Sequence, residues 1–127
     1  MSKTAISPVA INEWITNIKY EQIMSMKTPG TSYSTVNLNS NKKFSDYDFI
    51  HIICYRAKWL LTSATISVTV FSNSSSTTGA CPVGFWNGTL IEFDIKYTSD
   101  TSVDIKYICD TTQSDLTIRI YGVKLNA

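Results

Sequence analysis

Beyond residue 30 most apolar positions recur with a period of two. In Ile91-Glu92-Phe93-Asp94-Ile95-Lys96-Tyr97 the apolar residues hold one parity and the charged residues the other. Val103-Asp104-Ile105-Lys106-Tyr107 repeats the pattern after a polar turn at Thr98–Ser102. Side chains on a strand point alternately to opposite faces, so both runs read as half-buried strands of one hairpin. Charge selects their register. Pairing Tyr97 with Val103 sets Lys96 opposite Asp104 and Asp94 opposite Lys106. A slip of two residues would set Asp94 against Asp104, which is unfavourable. Further strands are expected at Ser32–Leu38, Asp48–Tyr55, Ala57–Phe71 and Leu116–Leu125. Within Ala57–Phe71, Ala64, Ile66, Val68 and Val70 share one face, and Thr65, Ser67 and Thr69 share the other. Asn87-Gly88, between Phe85-Trp86 and Thr89-Leu90, marks a tight hairpin, because both residues tolerate positive φ. Asn39–Lys43 and Ser72–Gly79 are polar loops.

The N-terminal quarter breaks the pattern. Ile11, Trp14, Ile15 and Ile18 recur at helical spacing, and Ile23 and Met26 extend it. This predicts a short arm or helix, with a strand over Trp14–Tyr20 as the alternative. Lys27-Thr28-Pro29-Gly30 then reads as a turn. The expected organisation is an N-terminal arm or attachment segment at residues 1–30 and one all-β domain at 31–127. That domain is expected to be an antiparallel β-sandwich, jelly-roll-like in connectivity. A chain of 127 residues that is 43 % hydrophobic can bury such a core without disulfides or metal.

Charge and chemistry narrow the function classes. Eleven Lys and Arg balance ten Asp and Glu, for a net charge of +1. This balance leaves no electrostatic footprint for nucleic acid or an anionic membrane. No apolar run is long enough to insert into a membrane. No apolar h-region follows Met1-Ser2-Lys3-Thr4, so synthesis and folding in a reducing cytoplasm are expected. Cys54, Cys81 and Cys109 are widely spaced and read as core residues. His51 is the sole histidine. It lies on the opposite strand parity from Cys54, so the two cannot form a dyad. Glu92, Asp94 and Asp104 fall on a lysine-paired strand face. No metal-ligand spacing, phosphate loop or cofactor motif is present, and a non-enzymatic protein is expected.

The aromatic residues are the remaining candidates. Flat rings stack on the apolar faces of sugar rings, while Asn and Asp bond the hydroxyls. Trp86 and Phe85 flank Asn87 at the expected hairpin. Tyr55 and Trp59 bracket Arg56 and Lys58, and Tyr33 lies near Gly30. These six residues, Asn87 included, are the candidate ligand-binding set. The run Asp48–Tyr55 is apolar on both faces. One face can fill the sandwich, while Tyr47, Phe49 and His51 are placed at a second sheet or a subunit interface.

Two motifs carry a resemblance. "FSDYDFIHIICY", from Phe44, resembles the opening core strand of the distal, receptor-binding domains of phage tail fibres and related tail proteins. "RIYGVKLNA", from Arg119 to the C-terminus, resembles their closing strand. The resemblance implies a β-sandwich, often a jelly roll, that trimerises at a fibre tip in the virion tail. It implies attachment to a bacterial cell-surface glycan or protein, with residues 1–30 meeting other tail proteins. A capsid or baseplate decoration protein of the same fold is the second expectation, and a glycan-modifying enzyme the third.

Overall fold

The computed structural model describes residues 17–27, 30–73, 83–86, 89–107 and 115–126, with the backbone alone described for 83–86 and 89–91. The strands are β1 (Lys19–Lys27), β2 (Ser34–Asn37), β3 (Phe49–Arg56), β4 (Trp59–Ser67), β5 (Val83–Trp86), β6 (Thr89–Ser99), β7 (Ser102–Tyr107) and β8 (Leu116–Lys124). They form two four-stranded sheets in the orders β1-β8-β3-β4 and β2-β7-β6-β5, with antiparallel neighbours throughout. The fold is an all-β sandwich. The pairing of first strand with last, and second with second-last, is shared with a jelly roll. The inner ladders differ, because β3–β4, β5–β6 and β6–β7 are plain hairpins.

The β6–β7 register is the one charge selects: Tyr97 opposite Val103, Lys96 opposite Asp104, Asp94 opposite Lys106. Phe93, Ile95, Val103, Ile105 and Tyr107 therefore all point inward and are buried. They meet Ile50, Ile52 and Cys54 of β3, Leu116, Ile118 and Ile120 of β8, and Ile23 and Met24 of β1 in one core. Each such large side chain contributes about 1.5–3 kcal/mol by leaving water. Phe44, Phe71 and Tyr97 add a ring cluster to this core, with centroids 5.4–5.8 Å apart. Phe44 belongs to a 3-10 turn (Phe44–Asp46) that was not expected. Asp100 anchors this turn by accepting from the Ser45 N–H at 2.8 Å and the Ser45 hydroxyl at 2.6 Å.

Two expectations are corrected. Residues 19–27, assigned to an arm, are β1, an edge strand paired along its length with β8. A bulge between Gln22 and Met24 disguises it. The extra residue turns both Ile23 and Met24 inward, which breaks the period of two and imitates helical spacing. Residues 1–16, including Ile11, Trp14 and Ile15, lie outside the described residues. The long strand expected over Ala57–Phe71 starts only after a turn at Ala57-Lys58 and stops at Ser67. A short helix, α1 (Val68–Asn73), follows. Val68 and Phe71, three apart, are buried together, while Val70 is 61 % exposed. The Ser67 hydroxyl accepts the Val70 N–H at 3.1 Å, as an N-cap serine does.

The segment before β3 is fastened to the end of β8. The Tyr47 ring lies flat against Gly122, where an added methyl carbon would sit 2.5–2.6 Å from ring atoms. The Tyr47 hydroxyl donates to Glu21 Oε1 on β1. Asp48 N–H donates to Val123 O at 2.8 Å, and Asp48 Oδ2 accepts the Leu125 N–H at 2.8 Å. Lys124 Nζ stands 3.6 Å from Asp48 Oδ1. "DYD" and "YGVK" are thus two halves of one clasp. Gly122→Ala is expected to cost about 1–3 kcal/mol by overpacking, read from urea denaturation.

The clasp also sets an acid limb. Hydrogen bonds from Tyr47 and then Lys42, the latter at 3.0 Å, hold the Glu21 carboxyl below its ordinary value of 4.5. A depressed carboxyl stabilises the fold fully above its unfolded value and loses that contribution as pH falls through the folded one. The Tm difference between the wild type and Glu21→Gln should therefore be largest at neutral pH. It should shrink as pH drops below about 4.5.

Candidate ligand-binding face

The two outer faces of the sandwich differ in kind. On the β2-β7-β6 side the polar groups satisfy one another. Thr35 Oγ1 donates to Asp104 at 2.6 Å, and the Tyr33 hydroxyl donates to Asp94. Lys96 and Lys106 lie over the Tyr33 ring, 3.9 and 4.6 Å from its centroid. This is a self-neutralised, solvated face.

The outer face of β1-β8-β3-β4 is aromatic and hydroxyl-rich. The ladders align four rows across it: Tyr20, Val123, Phe49 and Ser67; Gln22, Tyr121, His51 and Thr65; Ser25, Arg119, Ile53 and Ser63; and Lys27, Thr117, Tyr55 and Leu60. Tyr20 and Tyr121 stack in parallel, with centroids 4.8 Å apart and planes 4° apart. The Tyr20 hydroxyl shares a hydrogen bond with His51 Nδ1 at 3.0 Å. Partial burial, then the neighbouring Tyr121 and Tyr55 hydroxyls, raise the Tyr20 pKa, so the phenol stays neutral. Arg119 lies over the Tyr55 ring, 5.3 Å from its centroid. Lys27 Nζ donates to Thr117 Oγ1 at 3.3 Å. Ile53 points outward yet is only 9 % exposed, because its taller neighbours in the rows shield it. At one end of the face a shallow open pocket is lined by Lys27, Ala57, Asp115 and Thr117.

The candidate residues fall in several places. Tyr55, Phe49 and His51 share this face. Trp59 opens β4 at its rim, 55 % exposed, with Lys58 Nζ 5.4 Å from the ring centroid. Tyr33 lies on the other side of the sandwich. Tyr47 does not join Phe49 and His51; it is buried on Gly122, because a tyrosine two residues before the ladder's first pair lies outside the strand and is free to fold under it. Phe85 and Trp86 belong to β5, where Trp86 pairs with Thr89 as a two-residue connection requires; Asn87 lies outside the described residues. Tyr20, Tyr121 and Arg119 were missed as candidates. Strand parity against Ile118 and Ile120 would have placed Tyr121 and Arg119 on the outer face. Tyr20 had no such signal once β1 was taken for an arm.

His51 and Cys54 point to opposite faces, as parity requires. Burial raises the Cys54 thiol to about 12, which makes it an inert core group. Cys81 and Cys109 lie outside the described residues. Among the described residues no group of three His, Cys, Asp or Glu side chains could hold a metal ion. Stacking rings, hydroxyl donors and two cations suit non-covalent capture of a polar ligand that bears apolar ring faces. No protein-family model matches the chain, and neither a curated protein nor a solved structure matches it. Cys54 should stay unmodified when the folded protein meets iodoacetamide at pH 8, and react once urea unfolds it, as read by mass spectrometry of its peptide.

Proposed function

We propose that this chain is a non-enzymatic receptor-binding module of the phage tail-fibre-tip kind, attaching to a bacterial surface glycan. The observation that carries the reading is the outer face of β1-β8-β3-β4, where Tyr20, Tyr121, Tyr55 and His51 form an open ring platform among hydroxyl side chains. Such a platform binds sugars weakly at one site, and a homotrimer would multiply that strength by presenting three sites together. The opening and closing motifs that resemble tail-fibre domains support the same assignment. Their role in the clasp is to hold β3 beside β8, and it is those two strands that carry most of the platform.

A second reading has its own support. Phe49, Val123 and Leu60 give the face apolar patches that suit a protein neighbour, as in a virion decoration protein.

Adsorption decides between them. The purified chain should bind host cells, and their extracted surface polysaccharide should compete. Tyr121→Ala should lower adsorption about tenfold, in line with a lost ring stack, and Lys96→Gln on the opposite face should leave it unchanged. Absence of adsorption to any strain, with co-purification of virion proteins, would establish the decoration reading instead.

A further inference from the structure

Several lysines elsewhere in the sandwich stand beside a carboxylate. Lys19 and Lys42 contact Glu21, and Lys124 contacts Asp48. Lys96 and Lys106 stand opposite Asp104 and Asp94. Arg119 and Lys27 share one face, and among the described residues neither makes an ion pair. None of the outward positions in the four rows is an Asp or Glu. The carboxylates that border the face are Glu21, engaged by Tyr47, Lys42 and Lys19, Asp48, engaged by Leu125 and Lys124, and Asp115, which rims the shallow pocket with Lys27. The centre of the face is therefore positive and holds no internal anion.

Geometry joins this charge to the rings. Arg119 and Tyr121 are two residues apart on β8 and point the same way, which separates them by about 7 Å along the strand. A pyranose stacked on the Tyr20–Tyr121 pair, of which Tyr20 is exposed and Tyr121 half-buried, would hold an acidic group of its own or of the next sugar within reach of the Arg119 guanidinium. The planar guanidinium matches a carboxylate in two-point fashion. Lys27, one strand over and one row further, extends the positive track in the same direction. A second copy of the same face would bring cations against cations, so charge disfavours face-to-face self-association here.

Building on the glycan-binding reading, we infer that the outer face of β1-β8-β3-β4 selects a carboxylate-bearing polysaccharide, its sugar rings on Tyr20 and Tyr121 and its carboxylate on Arg119.

Calorimetric titration of the intact chain tests this with three probes: an oligogalacturonate, the same oligosaccharide after reduction of its carboxyl groups, and inorganic polyphosphate. The oligogalacturonate should bind, with affinity falling as salt rises. Carboxyl reduction should weaken it about tenfold, the scale of one lost charged hydrogen bond. Arg119→Gln should cost about the same on the acidic probe and nothing on the reduced one, whereas Tyr121→Ala should weaken both. Arg119→Lys should recover part of the loss, and unchanged Tm values in each variant confirm an intact fold. Equal affinity for acidic and neutral probes, stronger binding to polyphosphate, no binding to the oligogalacturonate, or indifference to Arg119→Gln would each overturn the inference. Equal affinity for the two probes, with both still dependent on Tyr121, would do so while leaving the receptor-binding reading standing. Loss of cell adsorption would instead strike at that reading itself.

Discussion

The contact between the Tyr47 ring and the bare backbone of Gly122 is the constraint on which the arrangement of the first sheet depends. The approach is too close for any side chain at 122. It brings the Tyr47 hydroxyl to Glu21 on the edge strand and leaves Asp48 to take the N–H of Leu125 just past the end of β8. Three strands distant in sequence, β1, β3 and β8, are thereby tied at one end. Their ladders run from there with Phe49 opposite Val123 and Tyr20 opposite Val123, and a register slip would break every link at once.

What that registration achieves is a division between the two outer faces. Across β2, β7 and β6 Asp94 and Asp104 each accept from a hydroxyl and face a lysine, and the ring of Tyr33 is covered by lysines. Across β1, β8, β3 and β4 the rings are stacked and open, and the cations have no carboxylate among them. The core between the sheets is ordinary aliphatic and aromatic packing. Its one described cysteine is a core filler rather than a chemical group.

Much of this fold was legible in the residues themselves. Strict alternation with complementary charge specified the β6–β7 hairpin to the residue, and Asn87-Gly88 signalled the β5–β6 connection. Where legibility failed, a local irregularity was the cause. One bulged residue at Ile23 broke the period of two that marks a strand, and a run of β-branched residues hid the change from β4 to α1. The platform was only partly legible. Phe49 and His51 were found from the two apolar faces of one strand, and Tyr55 from its place beside Arg56 at a strand junction. Their partners Tyr20, Tyr121 and Arg119 come from strands 30 to 70 residues away, and only the sheet order brings them together.

The central claim is that one face of the sandwich, and not the other, meets the ligand. Aromatic proton–carbon NMR spectra of the labelled chain, recorded while host surface polysaccharide is added, test it most directly. The ring signals of Tyr20, Tyr55, Tyr121 and His51 should shift together and saturate at one concentration while those of Tyr33 stay in place. Shifts at Tyr33 with the other four rings unmoved would contradict the account.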